Sequence, residues 1–271
     1  MCCHGSSCCG SPGGPALDRR RVLLGLASAC AAPVLPGCDW AVSLVVPTRE
    51  VERLGLEAWA QTRARLPLSS NAGIQRTARA IADRLLRAQD IDPSTWEVAV
   101  FASPQVNAFV LPGRKIGIYE GIVNVSRSEG ELAAVVGHEI GHLDANHPQE
   151  RVATQLATQV GVDLASRALN LQDMAFGREI AAALGLGVEY GIARPYGRSQ
   201  ELEADRLGLT MMARAGYDPF DAVRFWQRMD ELPRRGLPSV LSTHPAPAAR
   251  IEELQDLASD LAQSTPRVGD R

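Results

Sequence analysis

The stretch His138-Glu139-Ile140-Gly141-His142 constrains this chain more than any other. Two histidines four apart sit one turn apart on the same face of a helix, at roughly 100° per residue, so both imidazoles can reach one ion. Glu139 is the neighbour in this pattern, placed to accept a proton from a water at that ion instead of ligating it. The helix announces itself upstream. Ser128 and Glu131 form an S-x-x-E capping box, and Leu132, Val135 and Val136 carry an apolar face into the histidines.

A catalytic zinc site takes three protein ligands and an open position, and two-histidine sites commonly complete the set with a glutamate from a second helix. His147 is nearest in sequence, but nine steps of about 100° from His138 point it to the far side of a continuing helix. A structural place at the helix C-terminus suits it, where the dipole favours a partly charged imidazole. The better candidates lie in "RSQELEAD", residues 198 to 205. Glu201 and Asp205 share one helix face, so one can ligate while the other accepts the far N–H of a ligand histidine; Glu203 points away.

The rest of the chain supplies the frame for such a site. "NAGIQRTARAIADRLLRAQDI" has Ile74, Ala78, Ile81 and Leu85 at helical spacing, and Asp92-Pro93 stops the pattern. "WEVAVFAS", "NAFVLP" and "KIGIYEG" read as three short strands of a small antiparallel sheet, with Pro112-Gly113 as the turn between the last two. Further helices are expected at about 150 to 170, 198 to 215, 219 to 231 and 246 to 262. The fold class is therefore α+β, mainly α-helical, with a small antiparallel β-sheet next to the active-site helix. Net charge is −3 and no basic stripe is present, which excludes nucleic acid as a partner.

All six cysteines lie at or before Cys38. Arg19 to Arg21 precede the apolar run "VLLGLASACAAPVLPGC", the charged and short apolar regions of an export signal. Its end, Leu35-Pro36-Gly37-Cys38, resembles the lipobox of bacterial lipoproteins, and "ASAC" ending at Cys30 is a weaker second one. Cleavage before Cys38 would leave a lipid on that residue and no other thiol in the mature chain, a fold relying on packing instead of crosslinks. The arginine run looks somewhat like a twin-arginine signal, so the export route stays open. The expected organisation is a signal peptide at 1–37, an anchor and linker segment at 38–69, a zinc metallopeptidase domain at 70–262 and a tail at 263–271.

HEIGH followed some sixty residues later by RSQELEAD, preceded by NAFVLPGRKIGIYEG and followed by STHPAP, resembles the zinc metallopeptidases of the HtpX, Oma and CAAX-prenyl-protease family. The likeness covers about residues 70 to 255 and is nearest to the periplasmic branch without membrane spans. It implies a zincin-like domain binding one Zn2+, with His138, His142 and Glu201 as ligands, Glu139 as general base and Asp205 behind a ligand histidine. It also implies that His244 can take the fourth zinc position as an inhibitory plug. Asn107 to Leu111, including Ala108 and Phe109, resembles the edge strand on which such enzymes pair an extended substrate. Arg198 either touches substrate or pairs with a nearby acid. The expected activity is endopeptidase cleavage of unfolded or misassembled envelope proteins by a lipid-anchored enzyme on the periplasmic side, with inner against outer membrane open. The competing expectation is an assembly or chaperone-like factor with a latent or structural zinc.

Overall fold

The computed structural model describes residues 47–152, 195–231, 239–245 and 248–264. The export signal, Cys38 and most of the helix expected at 150 to 170 lie outside the described residues. Within them the order is α1 (Thr48–Arg65), α2 (Ala72–Arg87), a 3-10 turn (Pro93–Thr95), β1 (Glu97–Phe101), β2 (Ala108–Leu111), β3 (Lys115–Tyr119), α3 (Glu120–Val125), α4 (Glu129–Asp144), α5 (Arg198–Arg214), α6 (Phe220–Asp230), α7 (Ser239–Thr243) and α8 (Ala248–Ser264). None of the described helices is long and apolar enough to cross a membrane.

The α+β class expected from the sequence is the one observed, but the sheet is mixed, not antiparallel. Its order is β1-β3-β2: β2 and β3 form the antiparallel hairpin, and β1 runs parallel to β3. The hairpin turn has the Pro-Gly chemistry expected of it, with Gly113 at φ 86°. Residues 102–107 carry the chain past the place that β3 then fills, so β1 meets β3 and not β2. Local turn signals specify the hairpin, whereas the β1–β3 pairing is a long-range choice.

Both faces of this sheet are apolar, and each is covered. Val100, Ala108, Val110, Ile116 and Ile118 face the main core shared with α2 and α4. Ala99, Phe101, Phe109, Leu111 and Tyr119 form a second cluster with Val51, Ala58 and Trp59 of α1. Trp59 packs edge-on to Phe101 and Phe109, at 5.7 and 6.3 Å between ring centroids. The stretch expected as anchor and linker thus contains a helix, with Val51, Gly55, Ala58, Trp59 and Thr62 on its buried side. That helix exists because the aromatic face of the sheet needs a cover.

The two sheet edges differ. The outer side of β1 is sealed: Ser69 N–H donates to Val100 O at 2.8 Å and Ala102 N–H to Pro67 O at 2.9 Å. The Gln75 amide adds a bond in each direction with the Val100 backbone, at 2.8 and 3.0 Å. At β2, Tyr119 N–H donates to Asn107 O, so Asn107, Phe109 and Leu111 bond towards β3. Ala108 and Val110 therefore turn their N–H and C=O away from it, and no described strand pairs on that side.

The capping box at α4 is present in a modified form. Ser128 Oγ accepts the Glu131 N–H at 3.1 Å, and the Glu131 carboxylate reaches back to the Arg127 N–H at 2.6 Å. Arg228 of α6 then binds the same carboxylate, tying the start of α4 to α6. Burial pushes the Glu131 carboxyl up, but Arg228 and the Arg127 N–H outweigh it and hold the group below its usual range.

Candidate metal centre and active site

Small residues let α4 and α5 approach until their backbones touch. A Cβ at Gly208 would lie 2.9 Å from both Gly137 C and His138 N, and one at Gly141 would lie 2.6 Å from Ala204 O. This contact sets His138 and His142 on α4 against Glu201 and Asp205 on α5, and all four are buried. The i, i+4 spacing read from each motif thus becomes two facing pairs.

His138 Nε2 and His142 Nε2 lie 3.0 Å apart. His244, just past α7, places Nδ1 3.1 Å from His138 Nε2 and 3.0 Å from Glu201 Oε1. The Glu201 oxygens are 3.6 and 3.4 Å from the Nε2 atoms of His138 and His142. One donor atom from each of these four residues lies within 4.8 Å of all the others.

The proton inventory shows that this set fits a cation. His138 Nδ1 is 2.8 Å from Asp205 Oδ1. Burial raises the Asp205 carboxyl, but the charge and hydrogen bonds of Arg250 hold it low, so it accepts the proton of Nδ1 and leaves a lone pair on His138 Nε2. That lone pair faces other ring nitrogens. Burial also raises Glu201, yet His244 and the hydrogen bonds of His142 and His244 keep its carboxyl far below the usual range. Its Oε2 is buried and ion-paired with Arg250 Nη1 at 2.5 Å. Imidazole nitrogens and a deprotonated carboxylate converging on one point, with too few protons between them, are the donor chemistry of zinc.

Glu139 is buried beside this cluster, with Oε1 3.4 Å from His244 Nε2. His244 therefore stands between the expected base and the remaining donors. Its position is fixed by backbone bonds: His244 N–H to Val240 O at 2.7 Å, Tyr196 N–H to Thr243 O at 3.1 Å and Val240 N–H to Val106 O at 3.0 Å. Burial lowers the basicity of its imidazole, and the Glu201 and Glu139 charges more than reverse that.

The expected place of His147 needs correction. His147 does not point away. Helix α4 ends at Asp144, Asn146 takes φ 59°, and the chain turns so that His147 is buried with Nδ1 2.9 Å from His142 Nδ1. Burial lowers its pKa, so it is neutral instead of partly charged as the dipole argument implied. Glu203, which faces away from the donors, lies 3.4 Å from His147 Nε2. Arg198 makes an exposed pair with Glu253 at 2.7 Å, the acid of its two alternatives. Phe109 gives its ring to the aromatic cluster and its backbone to β3, leaving Ala108 as the residue that faces the open edge. Asn107 is buried next to it with Oδ1 unpartnered.

Sequence reasoning missed Arg250 and Tyr196. Arg250 donates to Asp205 at 2.6 and 2.8 Å and to Pro245 O at 2.8 Å, and it lies 4.4 Å over the Trp226 ring. The signal was available: Arg250, Leu254 and Ala258 form the buried stripe of α8, and a charge in an apolar stripe demands a partner. Tyr196 stacks on His142 with 4.0 Å between ring centroids, and the Arg151 guanidinium lies 3.2 Å over the Tyr196 ring. A lone tyrosine after proline carries no pattern that announces this.

A buried helix with two facing histidines and an adjacent glutamate, joined by a carboxylate from a second helix, defines a metallohydrolase of the HExxH class. Residues 70–258 match Peptidase family M48, and the chain belongs to that family, whose metallopeptidases use zinc. It is similar to the mitochondrial metalloendopeptidase OMA1 of Schizosaccharomyces pombe, at 34% identity over 64% of this chain and 50% of the relative. It is also similar to the beta-barrel assembly-enhancing proteases of Yersinia pestis and Escherichia coli, at 27% and 24% identity, each over 74% of this chain and 42% of the relative. The chain spans about half the length, or less, of the curated relatives it matches.

Proposed function

We propose that this chain is a zinc-dependent endopeptidase acting on unfolded or misassembled proteins of the cell envelope. The observation that carries the proposal is the convergence of His138, His142 and Glu201 donors with Glu139 buried beside them. In this reading those three residues hold one zinc ion, and Asp205 orients His138. A bound zinc supplies Lewis acidity towards a peptide carbonyl and a water. Glu139 takes the proton released and delivers it to the nitrogen of the leaving amine. Ala108 and Val110 offer their outward N–H and C=O to an extended substrate, which selects for segments free to add a strand. His244 is the inhibitory fourth group, seated between Glu139 and the other donors.

The test is cleavage of an unfolded model protein by the zinc-loaded chain. Glu139→Gln should retain one zinc and lose about 10²-fold or more in rate. Cleavage as fast as wild type would remove the mechanism. His244→Ala should raise the rate, and an unchanged or lower rate would remove the plug. The position of His244 favours one second reading, an assembly or chaperone-like factor with a latent zinc site. Under it, Glu139→Gln would support envelope assembly in cells as well as wild type does.

The envelope setting rests on the lipobox at Cys38. Cys38→Ala should release the protein from the membrane fraction of lysed cells, and continued membrane association would count against a lipid anchor there.

A further inference from the structure

Two histidines of the metal centre are backed by different chemistry. His138 Nδ1 faces Asp205, a carboxylate locked by Arg250. His142 Nδ1 faces the Nδ1 of a third imidazole, His147, at 2.9 Å. Two ring nitrogens at that distance share one proton, so one donates and the other accepts. His142 presents Nε2 to the donor cluster, where a lone pair is needed, so its proton belongs on Nδ1. His147 Nδ1 must then be the acceptor, and its own proton belongs on Nε2. That atom lies 3.4 Å from Glu203 Oε2, which completes a chain from a half-exposed carboxylate through His147 to His142.

We propose that His147 is a positioning residue for the metal centre, setting the tautomer and ring orientation of His142 by accepting its Nδ1 proton. The proposal rests on the assignment of His142 as a zinc ligand. Its support is geometric: Asn146 in the left-handed region folds the chain back after Asp144, and His147 is delivered into a fully buried place against His142. Tyr196, stacked on the His142 face, leaves the ring only its in-plane nitrogens for hydrogen bonding.

The experiment measures zinc affinity by chelator competition together with the ¹⁵N spectrum of histidine-labelled protein. In the zinc-loaded wild type, His142 Nδ1 should be protonated, His147 Nδ1 should be unprotonated and His147 Nε2 protonated. His147→Phe keeps the ring and removes the acceptor, and it should weaken zinc binding by about 10–100-fold. His147→Asn restores an acceptor oxygen and should recover part of that loss. Wild-type affinity in His147→Phe, or a protonated His147 Nδ1 in the wild-type spectrum, would overturn the proposal. If His147→Phe does not fold, the wild-type spectrum alone decides. A wild-type chain that binds no zinc would instead overturn the assignment on which the proposal rests.

Discussion

Gly208→Leu should destabilise this protein by about 3 kcal/mol or more, at or beyond the upper end of ordinary overpacking. The reason is the α4–α5 contact, where even a Cβ at this position would meet Gly137 C, His138 N and Gly137 O at 2.9–3.1 Å. All of these are backbone atoms, so no rotamer change relieves the clash, and the helices must separate. Separation moves Glu201 and Asp205 away from His138 and His142, so zinc affinity should fall with stability. Gly197→Ala is the control, because a Cβ there meets only Gln200 Oε1 at 3.7 Å. Urea midpoints and zinc stoichiometry measure both effects; an unchanged midpoint in Gly208→Leu would show that the contact is not close in solution.

Arg250→Met should cost about 3–5 kcal/mol at neutral pH, the usual penalty for removing one member of a buried ionic group. The variant leaves the buried Asp205 carboxylate with only its His138 partner, having lost both Arg250 hydrogen bonds, and Glu201 without its nearest countercharge. Arg250→Lys should recover little, because an ammonium cannot span Asp205 and the Pro245 carbonyl as the guanidinium does. The pH dependence has a definite sign. In the wild type Arg250 holds Asp205 below its ordinary value of 3.8, so its contribution is full above that value and is lost as pH falls through the lowered one. Without Arg250, only His138 still opposes the effect of burial on Asp205, so the carboxyl rises and the protonated form is more favoured than in the wild type. Denaturation of the metal-free proteins should show the gap between them narrowing as pH falls below about 4. A gap that does not change with pH would contradict this account.

Much of the site was legible because its chemistry is periodic. His138 with His142, and Glu201 with Asp205, are i, i+4 pairs, and helical geometry alone puts each pair on one face. The errors arose where a chain reversal or a distant pairing intervened. His147 was assigned by continuing α4, but Asn146 is a residue type that takes the left-handed conformation at helix ends, and Pro148 is suited to the first turn of a new helix. The pair was a stop signal that the nine-residue count ignored. The β1–β3 pairing has no local marker, since only the β2–β3 connection is short enough to carry turn chemistry. Helix α1 could have been inferred from the strands: Phe101, Phe109 and Tyr119 alternate with Val100, Val110 and Ile118, which leaves no solvent face.

The four clustered donors are not held alike. His138, His142 and Glu201 stand on two helices pressed backbone to backbone, whereas His244 follows a short helix whose backbone bonds to Val106 and Tyr196. Val106 lies just before the strand edge at which Ala108 is open. The fastening of the helix before His244 and the open edge therefore share one stretch of backbone, which the paired helices do not. Three donors thus stand on a rigid foundation, and the fourth stands on a short helix moored beside the free edge of the sheet.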